Sequence, residues 1–386
     1  MSRVYFDWNA TARLRPQVKA AMTEAFGVSG NPSSVHGEGR AARRIVETAR
    51  EQVAALVGAD TANVTFTSGG TEANLLALTP AIQSGTDKTA RDHLLVSAIE
   101  HPSVRNGGRF GADAVSEVQV TAQGVVDLDA LRQKLKDLKR PLVSIMLANN
   151  ETGVIQPISE VSQIVHEAGG LLHIDAVQGP GRIAVDINAL QADLLTLAAH
   201  KFGGPKGVGA LVRRGDIHVA DALIKGGGQE RGQRGGTENV LGIAGFGAAA
   251  AAVKISLDEE AARMRKLRDH LESRLKAISP GVVIFGETAE RLPNTTLFAA
   301  PGVRAETAVI AFDLEGIALS SGSACSSGKV QPSHVLAAMG VAPDLALGAV
   351  RVSLGPESTE SEVELFLSAW IKLSESLGKG KRGIAA

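Results

Sequence analysis

Gly170-Leu171-Leu172-His173-Ile174-Asp175-Ala176-Val177-Gln178 decides the fold: a short apolar run ending in an acid and an amide, entered from a helical stretch, Ile158 to Ala168, that Pro157 introduces. Proline is at home in the first turn of a helix, and an apolar run of this length bounded by glycine suits a strand. The same unit recurs on both sides. Upstream lie the runs Val64-Thr65-Phe66-Thr67, Leu94-Leu95-Val96-Ser97-Ala98 and Leu142 to Ala148, and downstream lies Leu194 to Leu197. Between them Asp127 to Leu138 sets Leu128, Leu131, Leu135 and Leu138 on one helical face. Alternation of this kind predicts an α/β fold, a mostly parallel central sheet flanked by helices.

In such sheets ligands gather beyond the carboxyl ends of the strands. The residues that follow the runs are Ser68-Gly69-Gly70-Thr71-Glu72, Glu100-His101-Pro102, Asn149-Asn150-Glu151-Thr152-Gly153, Asp175-Ala176-Val177-Gln178 and His200-Lys201. One cleft is expected to collect all five. After Ala251 the character shifts. An apolar Gly/Ala-rich helix, Val240 to Val253, is followed by a charged amphipathic one, Asp258 to Ile278, then by short strands at Val282 to Phe285 and Asn294 to Phe298. The division expected is a large domain over residues 15–254 and a smaller α+β domain made of 1–14 with 255–386. It closes in a helix from Glu360 to Leu377 and a frayed tail, Gly378 to Gly383.

Composition narrows the function classes. With 40 basic against 41 acidic residues the formal charge is −1, which gives no basic surface for nucleic acid, and 3% aromatic content leaves few platforms for stacking bases. The start, Met1 to Asn9, lacks the apolar core of a signal peptide, and no uncharged apolar run reaches the ~20 residues of a membrane span. One cysteine allows neither an intramolecular disulfide nor a multi-cysteine zinc site. A cytoplasmic protein without nucleic-acid, membrane or metal partners is the expectation.

Single residues carry the chemistry. Glycines before the helical pattern at Glu72 to Leu78 let backbone amides approach a phosphate at a helix N-terminus, with the Thr71 hydroxyl beside it; a plain N-cap after a tight turn is the other reading. Lys201, after a strand and before Gly203-Gly204-Pro205, is placed to condense with a carbonyl if partly desolvated, or else snorkels from a strand end. Asp175, within an apolar run, needs a cationic or hydrogen-bonding partner such as a protonated pyridine nitrogen. Cys325 sits in Ser320-Ser321-Gly322-Ser323-Ala324-Cys325-Ser326-Ser327-Gly328, a stretch of small residues that suits a thiol meant to travel, where an inert buried cysteine is the plain alternative.

These residues resemble the pyridoxal-phosphate-dependent cysteine desulfurases, a class V aminotransferase-like family, in the group of the nitrogen-fixation and housekeeping iron–sulfur-cluster enzymes. The resemblance runs through Asp7-Trp8-Asn9-Ala10-Thr11, Gly30-Asn31-Pro32-Ser33-Ser34, Ser68 to Asn74, Glu100-His101, Asn149 to Gly153, Asp175 to Gln178, and His200-Lys201 with Gly204-Pro205-Lys206-Gly207. It continues through Arg234-Gly235-Gly236-Thr237, Ser321 to Cys325 and Arg351-Val352-Ser353-Leu354-Gly355. It implies the fold-type-I architecture of pyridoxal-phosphate transferases, with the cofactor in the large domain, and the reaction of L-cysteine to L-alanine with sulfur left as a persulfide on Cys325. Lys201 would be the Schiff-base lysine. His101 would stack on the ring and move protons, Asp175 would hold the ring nitrogen and Gln178 the ring hydroxyl. Gly70, Thr71 and His200 would meet the phosphate, Asn150 would contact both cofactor and substrate, and Arg351 would clamp the substrate carboxylate. Thr237 would reach the phosphate of a second subunit, which implies a homodimer, and the persulfide would pass to an acceptor or iron–sulfur scaffold protein. Ala198 departs from the pattern, because the family's phosphate segment carries a serine there.

Two kinds of alternative stay beside this reading. Another pyridoxal-phosphate enzyme of the same fold, a selenocysteine lyase or an aminotransferase, would not need Cys325. A non-catalytic sulfur carrier would not need Lys201, Asp175 and His101 together at strand ends.

Overall fold

The computed structural model describes residues 3–322 and 332–383. Its central sheet has seven strands in the order Val64–Thr67, Gly209–Arg213, Leu194–Ala198, Leu171–Asp175, Pro141–Met146, His93–Ser97, Val115–Val118. From Leu194–Ala198 outward to Val115–Val118 every neighbour is parallel. The mostly parallel sheet expected from the alternation is present, and so are the helices Leu128–Leu135 and Ile158–Glu167. Asp127 caps the first of these, accepting from the amides of Asp129 and Ala130.

Two strands of this sheet were not anticipated. Gly209–Arg213 runs antiparallel to both its neighbours. The short link before it, which carries His200 and Lys201, permits a direct antiparallel return, whereas a parallel crossover needs a dozen residues or more. A Cβ on Gly209 would lie 2.5 Å from the carbonyl carbon of Gly69, so this strand passes directly under the Ser68-Gly69-Gly70 turn. Val115–Val118 is an edge strand of sequence Val-Ser-Glu-Val, half-covered along most of its length, and it offers no apolar run to recognise.

The two helical patterns on either side of Lys254 form one 39-residue helix, Val240–Ile278, rather than two. No glycine or proline interrupts Val253 to Asp258, so the helix propagates once nucleated. Residues 254 and 255, where the sequence suggests a division, lie inside it. Its first half packs on the helices Gly37–Leu56 and Pro16–Phe26. The approach is close: a Cβ on Gly247 would meet the Ala49 Cα at 2.6 Å. One window of this helix is long and apolar enough to cross a bilayer by length and composition, and half of that window is buried within the protein.

A second sheet, antiparallel throughout, runs Val283–Ile284, Thr295–Ala299, Val350–Ser353, Ser320–Ser321. The chain's start is woven into this layer: Val4–Tyr5 pairs with Ile317–Ala318, and Asp7 bridges to Ser353. Beneath lies an aromatic core of Phe6, Phe298, Phe312, Phe366 and Trp370, with Phe312 stacked on Phe366 at 4.9 Å between ring centroids. The closing helix runs Glu360–Gly383, so the segment expected to fray, Gly378 to Gly383, is helical. A glycine costs an established helix about 1 kcal/mol, which continued propagation offsets.

Because Phe366 contacts three other rings of that core, Phe366→Ala should lower the unfolding free energy by ~3–5 kcal/mol. Denaturant melts will show this; an unchanged midpoint would mean that the aromatic cluster contributes little.

Candidate active site

A cleft of about 340 Å³ opens where the sheet's strands end, lined by Gly70, Thr71, His101, Asn150, Asp175, Gln178, Ala198, His200, Lys201 and Arg351 among others. All five reactive segments therefore meet, as the strand order requires. Ser320, on the short strand paired across from Arg351, reaches the same wall from the second sheet. Two of the residues singled out in the sequence are not among these. Cys325 lies outside the described residues. Thr237 is exposed and lines a neighbouring cavity with Phe66, Thr67 and Ser68.

Asp175 ends its strand inside the protein, where one carboxyl oxygen accepts from Asn74 Nδ2 at 2.8 Å and the other from the Val177 amide at 3.1 Å. Asn74 also donates to Ser103 Oγ at 2.9 Å. Ser103 in turn contacts His101 Nδ1 at 2.8 Å through its hydroxyl and donates its amide to the same nitrogen. With Nδ1 accepting, the neutral ring carries its proton on Nε2. Burial holds the His101 pKa below the ordinary histidine value; Asp175 opposes that shift and Lys201 adds to it.

Lys201 Nζ donates to the carbonyl oxygens of Asn9 at 2.7 Å and Ala10 at 3.1 Å. The carbonyl of Asn9 also receives Gln178 Nε2 at 3.1 Å. His200 Nδ1 lies 3.2 Å from Thr11 Oγ1, and its pKa is pushed down to about 4, first by burial and then by the charges of Lys201, Lys206 and Arg182. Arg351 donates to the Asn150 carbonyl at 3.0 Å and to Asp7 Oδ1 at 2.7 Å, while its Nε has no partner among the described residues.

Two buried acids stand behind the cleft. Glu100 Oε1 accepts from the Ser97 hydroxyl and from the Met146 amide at 2.7 Å; burial raises its pKa to about 8, with Asp175 adding to the rise. Glu151 takes the Ser333 hydroxyl and is pushed up to about 7 by burial. Both remain protonated or partly so at neutral pH, because desolvation outweighs the hydrogen bonds that favour the charged form.

Asn9, Asn74 and Ser103 hold these groups, and none had been given a role from sequence. Asn74 was the most findable: a lone amide inside Ala73-Asn74-Leu75-Leu76-Ala77, on a helix packed against the sheet, needs a polar partner. Asn9 acts through its backbone oxygen, which no sequence pattern reveals.

The family description of the class V aminotransferases matches residues 4–366. A cysteine desulfurase of Cereibacter sphaeroides is 41% identical over 376 residues, covering 95% of this chain and 94% of that protein. Among solved structures, a NifS-like protein from Rickettsia africae superposes with a TM-score of 0.86 at 37% identity, covering 97% of this chain and 99% of that one. Another, SspA in complex with cysteine, gives 0.76 at 28% identity, covering 92% of this chain and all of its own.

The Glu100 pKa carries a sign. It is raised from 4.5 to about 8 in the folded state, so the folded chain binds the extra proton and stability falls as pH rises through that interval. Glu100→Gln should flatten the decline. Urea unfolding of both proteins across that pH range tests this, and parallel curves would show that Glu100 ionises as freely in the folded protein as in the unfolded one.

Proposed function

This chain belongs to the class V aminotransferase family and is one of its cysteine desulfurases, and we propose that it removes sulfur from L-cysteine in the cleft around Lys201, using pyridoxal 5′-phosphate held there. What carries the reading is that Lys201, Asp175, His101 and Arg351 line one cleft although they come from four separate places in the chain. Members of the family depend on this cofactor, and the residues present fit it. Gln178 Oε1 and Asn74 Oδ1 are buried without partners among the described residues, so polar capacity stands unused at the site. Gly70 keeps the cradle open, since a Cβ there would lie 3.1 Å from Val177 and 3.4 Å from Ala198.

When bound, the cofactor supplies an aldehyde that condenses with amines and a protonated ring that withdraws electrons from the substrate's α-carbon. Asp175, its carboxyl fixed by Asn74 and Val177, would receive the ring's N–H. The backbone amides at the start of the Gly70–Ala77 helix, the Thr71 hydroxyl and His200 would hold the phosphate. Lys201, steadied by the Asn9 and Ala10 carbonyls, would hold the cofactor through its amine. His101, neutral with Nε2–H available, exchanges protons with the substrate. Arg351 takes the substrate carboxylate with the fork that Asp7 and Asn150 already orient.

Cys325 then attacks the substrate sulfur as thiolate: the substrate's carbon–sulfur bond breaks, a sulfur–sulfur bond forms, a proton goes to the carbon, and alanine leaves. The overall change, one thiol plus cysteine giving a persulfide plus alanine, needs no external oxidant. The persulfide passes to an acceptor protein, in iron–sulfur cluster assembly or other sulfur trafficking. Because Thr237 does not line its own chain's cleft, we assign it to the phosphate of a partner subunit in a homodimer. A thiol that must stay reduced suits the cytoplasm.

The purified protein loaded with pyridoxal phosphate should form alanine and a protein-bound persulfide from L-cysteine, and Cys325→Ser should lose both; full turnover in the variant would move the protein to another pyridoxal-phosphate reaction. Ala198, which lines the cleft beside Gly70, lacks a hydroxyl for the phosphate. Ala198→Ser should tighten cofactor binding by roughly 2–10-fold, the worth of one added hydrogen bond. A dissociation constant that does not move would remove that explanation.

A further inference from the structure

Glu230 and Arg231 hold left-handed backbone, with φ 47°, ψ 38° and φ 56°, ψ 33°. Gln191 is the one other non-glycine residue with positive φ among the described residues. Such conformations are disfavoured for residues with a side chain and persist where the surroundings over-determine them. Here they turn the Glu230 carboxylate inward. One oxygen accepts from Arg50 Nη1 at 2.6 Å and from the Phe66 amide at 2.8 Å; the other accepts from Arg50 Nη2 at 2.8 Å. Arg50 also donates to the Val64 carbonyl at 2.9 Å and lies over the Phe66 ring.

Two residues further on, just past the end of the strand, the arrangement repeats. Glu72 accepts the Ser68 amide at 2.8 Å and pairs with Arg234 Nε at 2.9 Å. Arg234 and Glu230 belong to one glycine-rich segment, Gly226 to Thr237, while Phe66 and Ser68 lead directly into Gly69-Gly70-Thr71. The segment and the turn are thus clasped twice, each time by a carboxylate that takes one backbone N–H and one guanidinium. A buried ion pair is weak evidence for stability, because desolvation opposes its Coulombic gain, and the strained backbone adds to the cost. Geometry is what such a pair best supplies. The guanidinium groups also cancel two negative charges that would otherwise stand near an incoming phosphate.

We propose that Arg50, Glu72, Glu230 and Arg234 are positioning residues that fix the Ser68–Thr71 turn for the cofactor phosphate and fasten to it the segment bearing Thr237. This rests on the cofactor reading above. Preorganised amides bind an anion without a further ordering cost, so loosening the clasp lowers affinity although none of the four touches the phosphate.

Titration of the apoprotein with pyridoxal phosphate, followed by absorbance, tests this in Glu230→Gln and in Glu72→Ala; the second alters a less buried site, so it reports even if the first fails to fold. Each should weaken binding by about ten-fold, as for loss of a charge-assisted hydrogen bond, with KM for L-cysteine little changed at saturating cofactor. Hydrogen exchange at the Ser68 amide should quicken in the Glu72→Ala apoprotein. A purely electrostatic role for Glu72 predicts the reverse, tighter binding once its charge is gone. Unchanged or tighter binding in the variants that fold, with the wild type binding normally, would overturn the inference alone; a wild type that binds no pyridoxal phosphate would overturn the functional reading and this inference with it.

Discussion

The carbonyl oxygen of Asn9 is the point on which the two halves of the active site turn. It receives Lys201 Nζ and Gln178 Nε2 from the large sheet. The Asn9 side chain faces the other way, donating to the Asn150 carbonyl and Thr295 Oγ1 and accepting from Asn294. Its amide donates to Ser353. Buried networks of this kind are strong when every member is satisfied and costly when one is not. A displacement of the N-terminal segment would therefore disturb the lysine, the glutamine and the arginine's partner Asp7 together.

That segment can act as a stitch because of the sheet order. Parallel strands end at one edge of the large sheet, and the chain's first residues are held at that edge by the bridge from Asp7 to Ser353 of the second sheet and by the separate pairing of Val4–Tyr5 with Ile317–Ala318. The site is thus built from a rigid floor, the strand ends, and a wall that belongs to the other layer. Side chains on such scaffolds are held more closely than those on free loops, and Lys201, Asp175 and His101 all sit on this floor.

Desolvation dominates the electrostatics. Glu100 and Glu151 are raised, while His101 and His200 are lowered, and in each case burial is the leading cause. The result is that these buried acids and histidines bring little charge to the pocket near neutral pH. Neutral histidines can accept or donate a proton, and a mostly neutral Glu100 adds little negative charge behind the cleft.

The α/β class, the strand ends that matter and most cleft residues were legible in the sequence, because apolar runs alternate with helical patterns and topology forces reactive groups after each run to one edge. Legibility failed where polarity or continuity hid an element: the edge strand Val115–Val118, the antiparallel return at Gly209–Arg213, and the single helix Val240–Ile278 read as two. It failed in the site for residues whose role lies in the backbone or in a distant partner. That Lys201 and Cys325 carry the chemistry was suggested by side-chain type and motif order alone. That Asn9 takes the lysine's hydrogen bond, that Asn74 donates to Asp175 and that Glu230 meets Arg50 and the Phe66 amide was decided by tertiary structure, since hydrogen bonds between residues remote in sequence leave no local periodicity to read.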